Sequence, residues 1–135
     1  MTDVLHQGEP DRRLETETIA WLTTVSGSGQ PQSSPVWFLW DGSSLWLRSQ
    51  EGAGKVRNIE ANSRVSIHLA DDGHGESIVT VEGTASIEDE PAELVDGYMS
   101  KYGDAIRDAL GSTPEQVAKD YPVTIRITPT RARAW

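Results

Sequence analysis

The feature that most constrains the fold is a succession of short strand-like segments, each closed by a turn signal. Thr18 to Ser26 (TIAWLTTVS) is rich in β-branched residues and reads as a strand. Gly27 to Pro31 (GSGQP) is a hairpin turn, and Ser33 to Trp40 (SSPVWFLW) is the second strand. That strand is apolar at consecutive positions, so both of its faces are expected to be covered. Asp41-Gly42 makes the next turn and Ser44 to Ser49 the third strand. Val65 to Ala70, Ser77 to Glu88 and Pro122 to Thr128 complete the set, and the chain closes with PTRARAW. Helices are predicted over Asp11 to Thr16, capped by Asp11, and over Lys55 to Glu60. Further helices run from Glu90-Pro91 to about Tyr102, from Asp104 to Leu110 and from Thr113 to Lys119. Residues 1–10 read as a flexible N-terminal tail and residues 11–135 as one domain, with no internal repeat or linker. The order predicts a mainly β fold, a barrel or sandwich of antiparallel strands with short helices outside it.

Charge narrows the partners. The chain carries 21 acidic against 12 basic residues, a formal net charge of −9. Nucleic-acid binding relies on lysine and arginine neutralising phosphates, so this balance argues against it. The same balance argues against docking on an anionic membrane. Cysteine is absent, which removes disulfides and thiolate chemistry and fits a reducing cytoplasm. Met1 to Pro10 is polar, so no signal peptide is expected, and no apolar stretch is long enough to span a bilayer.

Against that acidic background, Ser49 to Asn62 (SQEGAGKVRNIEAN) is an island of glycine and positive charge. Lys55 follows a Gly-Ala-Gly turn, and Arg57 and Asn58 come next, where a helix begins. Backbone N–H groups opening into a helix N-terminus, with cationic side chains beside them, form a place for a phosphate. Lysine offers a point charge, arginine a planar fork and asparagine an amide donor. The alternative is a solvated Lys/Arg face on a surface helix. A nucleotide-binding P-loop is not matched, because Val56 stands where Ser or Thr would meet magnesium.

Other signals are weaker. His74, among Asp71, Asp72 and Glu76, fits no metal loop spacing, and no metal site is expected. No Gly-x-Ser-x-Gly elbow is present, and no catalytic acid/base pair stands out.

Four segments resemble the split β-barrel flavin-binding superfamily that includes pyridoxamine 5′-phosphate oxidase. They are Ala20 to Phe38, the Trp40 to Ser49 hairpin, GKVRNIEANSRVSIHL (Gly54 to Leu69) and VTIRITPTRARAW (Val123 to Trp135). Within that superfamily the last two look most like the branch that uses the deazaflavin coenzyme F420. The resemblance implies an FMN-binding-like split barrel of six or more antiparallel strands, acting as a homodimer with the cofactor in a groove between subunits. It implies that Lys55 and Arg57, with Asn58, hold the cofactor phosphate. Ser49 and Gln50 would lie along the ring and its ribityl chain, and Pro35, Val36 and Trp37 beside the ring. Gln32 and Ser34 would supply polar contacts, and Trp135 would reach over the cofactor. The alternative for Trp135 is docking on the barrel surface or fraying, and for Arg131 and Arg133 simple exposure. The implied activity is hydride transfer between F420 and an unsaturated, conjugated planar acceptor. Two alternatives keep the fold: an FMN-dependent oxidase of a pyridoxamine-like substrate, or a non-catalytic flavin- or haem-type binding protein.

Overall fold

A computed structural model describes residues 2–135. Seven strands form one antiparallel sheet in the order β2-β1-β5-β6-β7-β4-β3. They are β1 (Ala20–Val25), β2 (Pro31–Val36), β3 (Leu39–Trp40), β4 (Leu45–Ser49), β5 (Arg64–His68), β6 (Val79–Glu88) and β7 (Val123–Ala134). The helices are α1 (Gly8–Thr16), α2 (Gly54–Ala61), α3 (Ala92–Asp108) and α4 (Pro114–Asp120). The sheet curls into a half-barrel, because alternate residues of nearly every strand meet in one core. Leu22, Val36, Phe38, Leu45, Leu47, Ile67, Val81, Ile125 and Ile127 all belong to it.

The split β-barrel expectation is met with seven strands. The apolar run of the second predicted strand is explained by two cores. Val36, Phe38 and Trp40 point into the half-barrel, while Trp37 and Leu39 pack on a second cluster outside it. That cluster is built on α3, whose Leu94, Tyr98, Tyr102 and Ile106 recur every fourth residue and are buried on one face.

Three elements differ from the sequence reading. Residues Asp3–His6, expected in a loose tail, form a 3-10 turn, and α1 begins at Gly8 rather than Asp11. The cause is Leu5, which is fully buried in the half-barrel core. Asp11 does not cap α1; its carboxylate accepts a hydrogen bond from Trp40 Nε1 at 3.0 Å. The two helices expected between Glu90 and Leu110 are one, continuous through Gly103. A glycine in a helix costs about 1 kcal/mol, and burial of Ile106 on the continuing stripe outweighs it. Finally, β7 extends to Ala134, pairing along the whole of β6. The pairing shifts register between Glu82 and Gly83, where a Cβ on Gly83 would lie 2.6 Å from the Thr128 carbonyl oxygen, so the strands approach too closely for any other residue without displacement.

Among the described residues no helix is long and apolar enough to cross a membrane.

Candidate functional site

The end of β4 delivers the chain into the glycine turn. Gly52 takes φ +73°, a left-handed conformation that favours glycine, and the turn hands over to α2. Ala53 is the residue before the helix, and no side chain caps the N-terminus. Backbone carbonyls take two of its N–H groups, Ala53 N–H bonding to Gln50 and Val56 N–H to Ala53, which leaves those of Gly54 and Lys55.

Lys55 lies in the first turn of α2 and is half-buried. Burial pushes its ammonium below the ordinary lysine range. It lines a cavity of about 310 Å³ together with Pro35, Val36 and Trp37 from the end of β2, and Arg48 and Tyr98. Leu110, Val117 and Tyr121, from the α3–α4 region, close the far wall. Trp37 is held rigidly. Its ring stacks on Tyr102 with centroids 4.4 Å apart and planes 4° from parallel. Tyr102 in turn is fixed by a closed set of bonds. Its hydroxyl accepts from Phe38 N–H at 2.9 Å and lies 2.8 Å from the Thr18 carbonyl to which it donates. Tyr98 is held more loosely, its hydroxyl 3.4 Å from both the Trp37 and Trp46 carbonyls. Burial raises its pKa well above the phenol range, so it remains a neutral donor.

The remaining sequence-predicted residues divide into four groups. Asn58 is turned inward, not toward the cavity. Its amide donates to Thr24 Oγ1 and to Gln32 Oε1, both at 2.9 Å. Asn58 and Gln32 are thus brought together, as a tie between α2 and the β1–β2 hairpin. Arg57 is exposed and its Nη1 donates to the Gly52 carbonyl, bracing the turn. Ser49 is buried at the end of β4, and Gln50 is exposed in the turn beside it. Trp135 lies elsewhere within this chain. β7 starts opposite Ser49 and ends opposite Val79, roughly 35 Å away if its twelve residues ran straight. Trp135 lines a separate cavity with Val4, Pro10, Arg13 and Ile78.

Sequence reasoning missed Arg48, Tyr98 and the α3–α4 wall. One signal was available: an arginine inside the apolar strand LWLRS is out of place on a buried face unless something there needs it.

The wall fits a flat, anionic cofactor. The cavity lining combines a rigid aromatic surface and aliphatic groups with Lys55, at the start of a helix that no side chain caps. The volume sits at the lower end of the range for ligand pockets, roughly 300–1,000 Å³.

Comparison with known proteins gives the family and the fold. The family model described as pyridoxamine 5′-phosphate oxidase matches residues 8–135. Among solved structures, an F420 reductase superposes with a TM-score of 0.70 at 26% identity, covering 94% of this chain and 98% of that one. The conserved hypothetical protein Rv2991 from Mycobacterium tuberculosis gives a TM-score of 0.73 at 26% identity, over 96% of this chain and 84% of that one. HutZ, the haem storage protein from Vibrio cholerae, shares the fold at 20% identity, with a TM-score of 0.70 over 93% of each chain. None of the curated proteins matches the sequence.

Proposed function

Since the chain belongs to the pyridoxamine 5′-phosphate oxidase family, we propose that it is an oxidoreductase that binds coenzyme F420 in the Lys55 cavity and reduces a conjugated planar acceptor there. The observation that carries this reading is the shared lining: Pro35, Val36 and Trp37 border the same cavity as Lys55. A flat ring needs the first group and a phosphate needs the second.

F420, when bound, supplies the hydride chemistry. The chain's own groups bind and orient. Trp37, locked on Tyr102, gives a flat surface that does not reorganise on binding. Lys55 would receive the phosphate as a point charge, with the Gly54 and Lys55 N–H groups at the start of α2 beside it. Arg57 braces the turn through Gly52. Ser49 and Gln50 do not line the cavity themselves; on this reading they would flank the chain between ring and phosphate from the end of β4. Val117 and Leu110 exclude water from the outer side. Two chains would complete the groove: in a homodimer, the distant Trp135 of one subunit would be free to reach the cofactor of the other. We place the protein in the cytoplasm, in line with its lack of cysteine.

FMN is the alternative cofactor, since the same wall accepts a flavin ring and its phosphate, and a pyridoxamine-like compound would then be the substrate. The haem storage relative shares only the fold and supports a non-catalytic reading no further than that. Titration with F420 and with FMN, followed by quenching of tryptophan fluorescence, separates these. Micromolar or tighter F420 binding with weak FMN binding supports the proposal, and the reverse order supports the FMN enzyme. F420 binding with no oxidation of the reduced coenzyme across a panel of conjugated acceptors would contradict catalysis.

A further inference from the structure

One group in the cavity wall has no use in holding a ring or a phosphate at α2. The side chain of Arg48 is 8% exposed. Its Nη2 is paired with the Glu90 carboxylate, and its Cζ lies 5.3 Å from the Tyr98 ring centroid. Its Nη1 is buried and has no hydrogen-bond partner, the one side-chain atom in that condition among the described residues. A buried donor on a charged group is costly to leave unpaired, and native proteins rarely do so without a reason.

Arg48 borders two cavities. The outer one, about 240 Å³, is also lined by Glu90 and Glu115 and already carries negative charge. The inner one is lined by Arg48 and Lys55 and by no carboxylate at all, in a protein of net charge −9. An anion is therefore drawn to the inner cavity. It would meet there a guanidinium beside Tyr98, with Pro35, Trp37 and Val117 supplying flat and apolar contacts.

We propose that Arg48 is a carboxylate-recognition residue: the inner cavity takes a flat conjugated ligand that carries a carboxylate, and Arg48 Nη1 receives that group. Nη1 is shielded from water, so a small rotation of the guanidinium is needed to present it. Glu90 stays on Nη2, and the ligand's carboxylate takes the free Nη1 of the same fork, adding one charged hydrogen bond. The assignment goes beyond the coenzyme reading, because the carboxylate could come from the acceptor or from the acidic tail of F420.

The test uses the full chain without coenzyme and a matched pair of probes, 1-naphthoate and the neutral 1-naphthamide, with binding read by titration calorimetry. Wild type should favour naphthoate by about tenfold or more, the worth of one charged hydrogen bond. Arg48→Met should reduce the preference below about threefold. A preference kept above that, or none in wild type, overturns the proposal. Should Arg48→Met fail to fold, Glu90→Gln leaves the guanidinium in place and removes the negative charge beside it. It should tighten naphthoate and leave naphthamide unchanged; unchanged or weaker naphthoate binding overturns the proposal. F420 affinity of the same variants then identifies the source of the carboxylate. Weaker F420 binding in Arg48→Met assigns it to the coenzyme, and unchanged F420 binding with a raised KM for a carboxylated acceptor assigns it to the acceptor. Failure of wild type to bind F420 would remove the coenzyme reading and leave the naphthoate result standing.

Discussion

One turn apart on α2, two polar side chains live under opposite conditions. Asn58 is buried and both of its amide bonds go to protein partners, Thr24 and Gln32. Lys55 is half-buried, faces a cavity and has no ion-pair partner among the described residues. The same contrast repeats under α3. Tyr102 has a partner for each of its hydrogen-bonding functions, whereas Arg48, one cavity wall away, retains an unpaired Nη1. Closed polar groups hold the scaffold. Open ones are kept at a desolvation cost, and on the function proposed above a ligand completes the set.

This contrast can be broken in order of effect. Tyr102→Ala should be the most damaging change, about 3–5 kcal/mol of stability by urea unfolding, since it removes a fully buried ring and orphans Phe38 N–H and the Thr18 carbonyl. A loss under about 1 kcal/mol would mean that the Trp37 platform is not anchored there. Asn58→Ala should cost about 1–3 kcal/mol, because Thr24 is left buried without its amide partner. Lys55→Ala reverses the pattern. Stability should stay within about 0.5 kcal/mol of wild type, while F420 affinity falls by about 1–3 kcal/mol. A variant that unfolds more easily but binds as before would place Lys55 with the closed groups.

The smallest effect is a pH dependence at Lys101, a cation that is neither open nor wholly closed. Its Nζ donates to the Phe38 carbonyl at 2.9 Å and sits 3.7 Å from the Phe38 ring centroid. Burial lowers its pKa to about 8, only partly opposed by Glu17. Between that value and the ordinary lysine value of 10.5, the unfolded chain holds a proton that the folded chain has released. Stability therefore gains with rising pH across that window. The melting temperature of wild type should rise relative to Lys101→Met from about pH 8 to 10. Parallel curves for the two proteins would show that Lys101 is solvated.

Much of the architecture was legible because strands and turns announce themselves locally. The β1–β2 hairpin and the Asp41-Gly42 turn follow from residues adjacent in sequence. Lys55 was legible as well, through the glycine turn that delivers it. What was not legible depends on distant packing. Leu5 looks like any residue of a polar segment until the half-barrel core receives it. Asn58 reads as a ligand group by proximity to Lys55, and only the arrival of Thr24 and Gln32 from the hairpin makes it a tie. Arg48 and Tyr98 come from segments with no motif, and their meeting is set by α3 lying across β4. Trp135 shows the limit of a chain-end signal, since its distance from Lys55 follows from the length of β7 and not from its own neighbourhood.

The most direct test of the central claim is a crystal structure of the protein with F420. The account predicts the ring against Pro35, Val36 and Trp37, with the phosphate within hydrogen-bonding distance of Lys55 Nζ. A ring bound anywhere else, or a phosphate lying away from the first turn of α2, would contradict it.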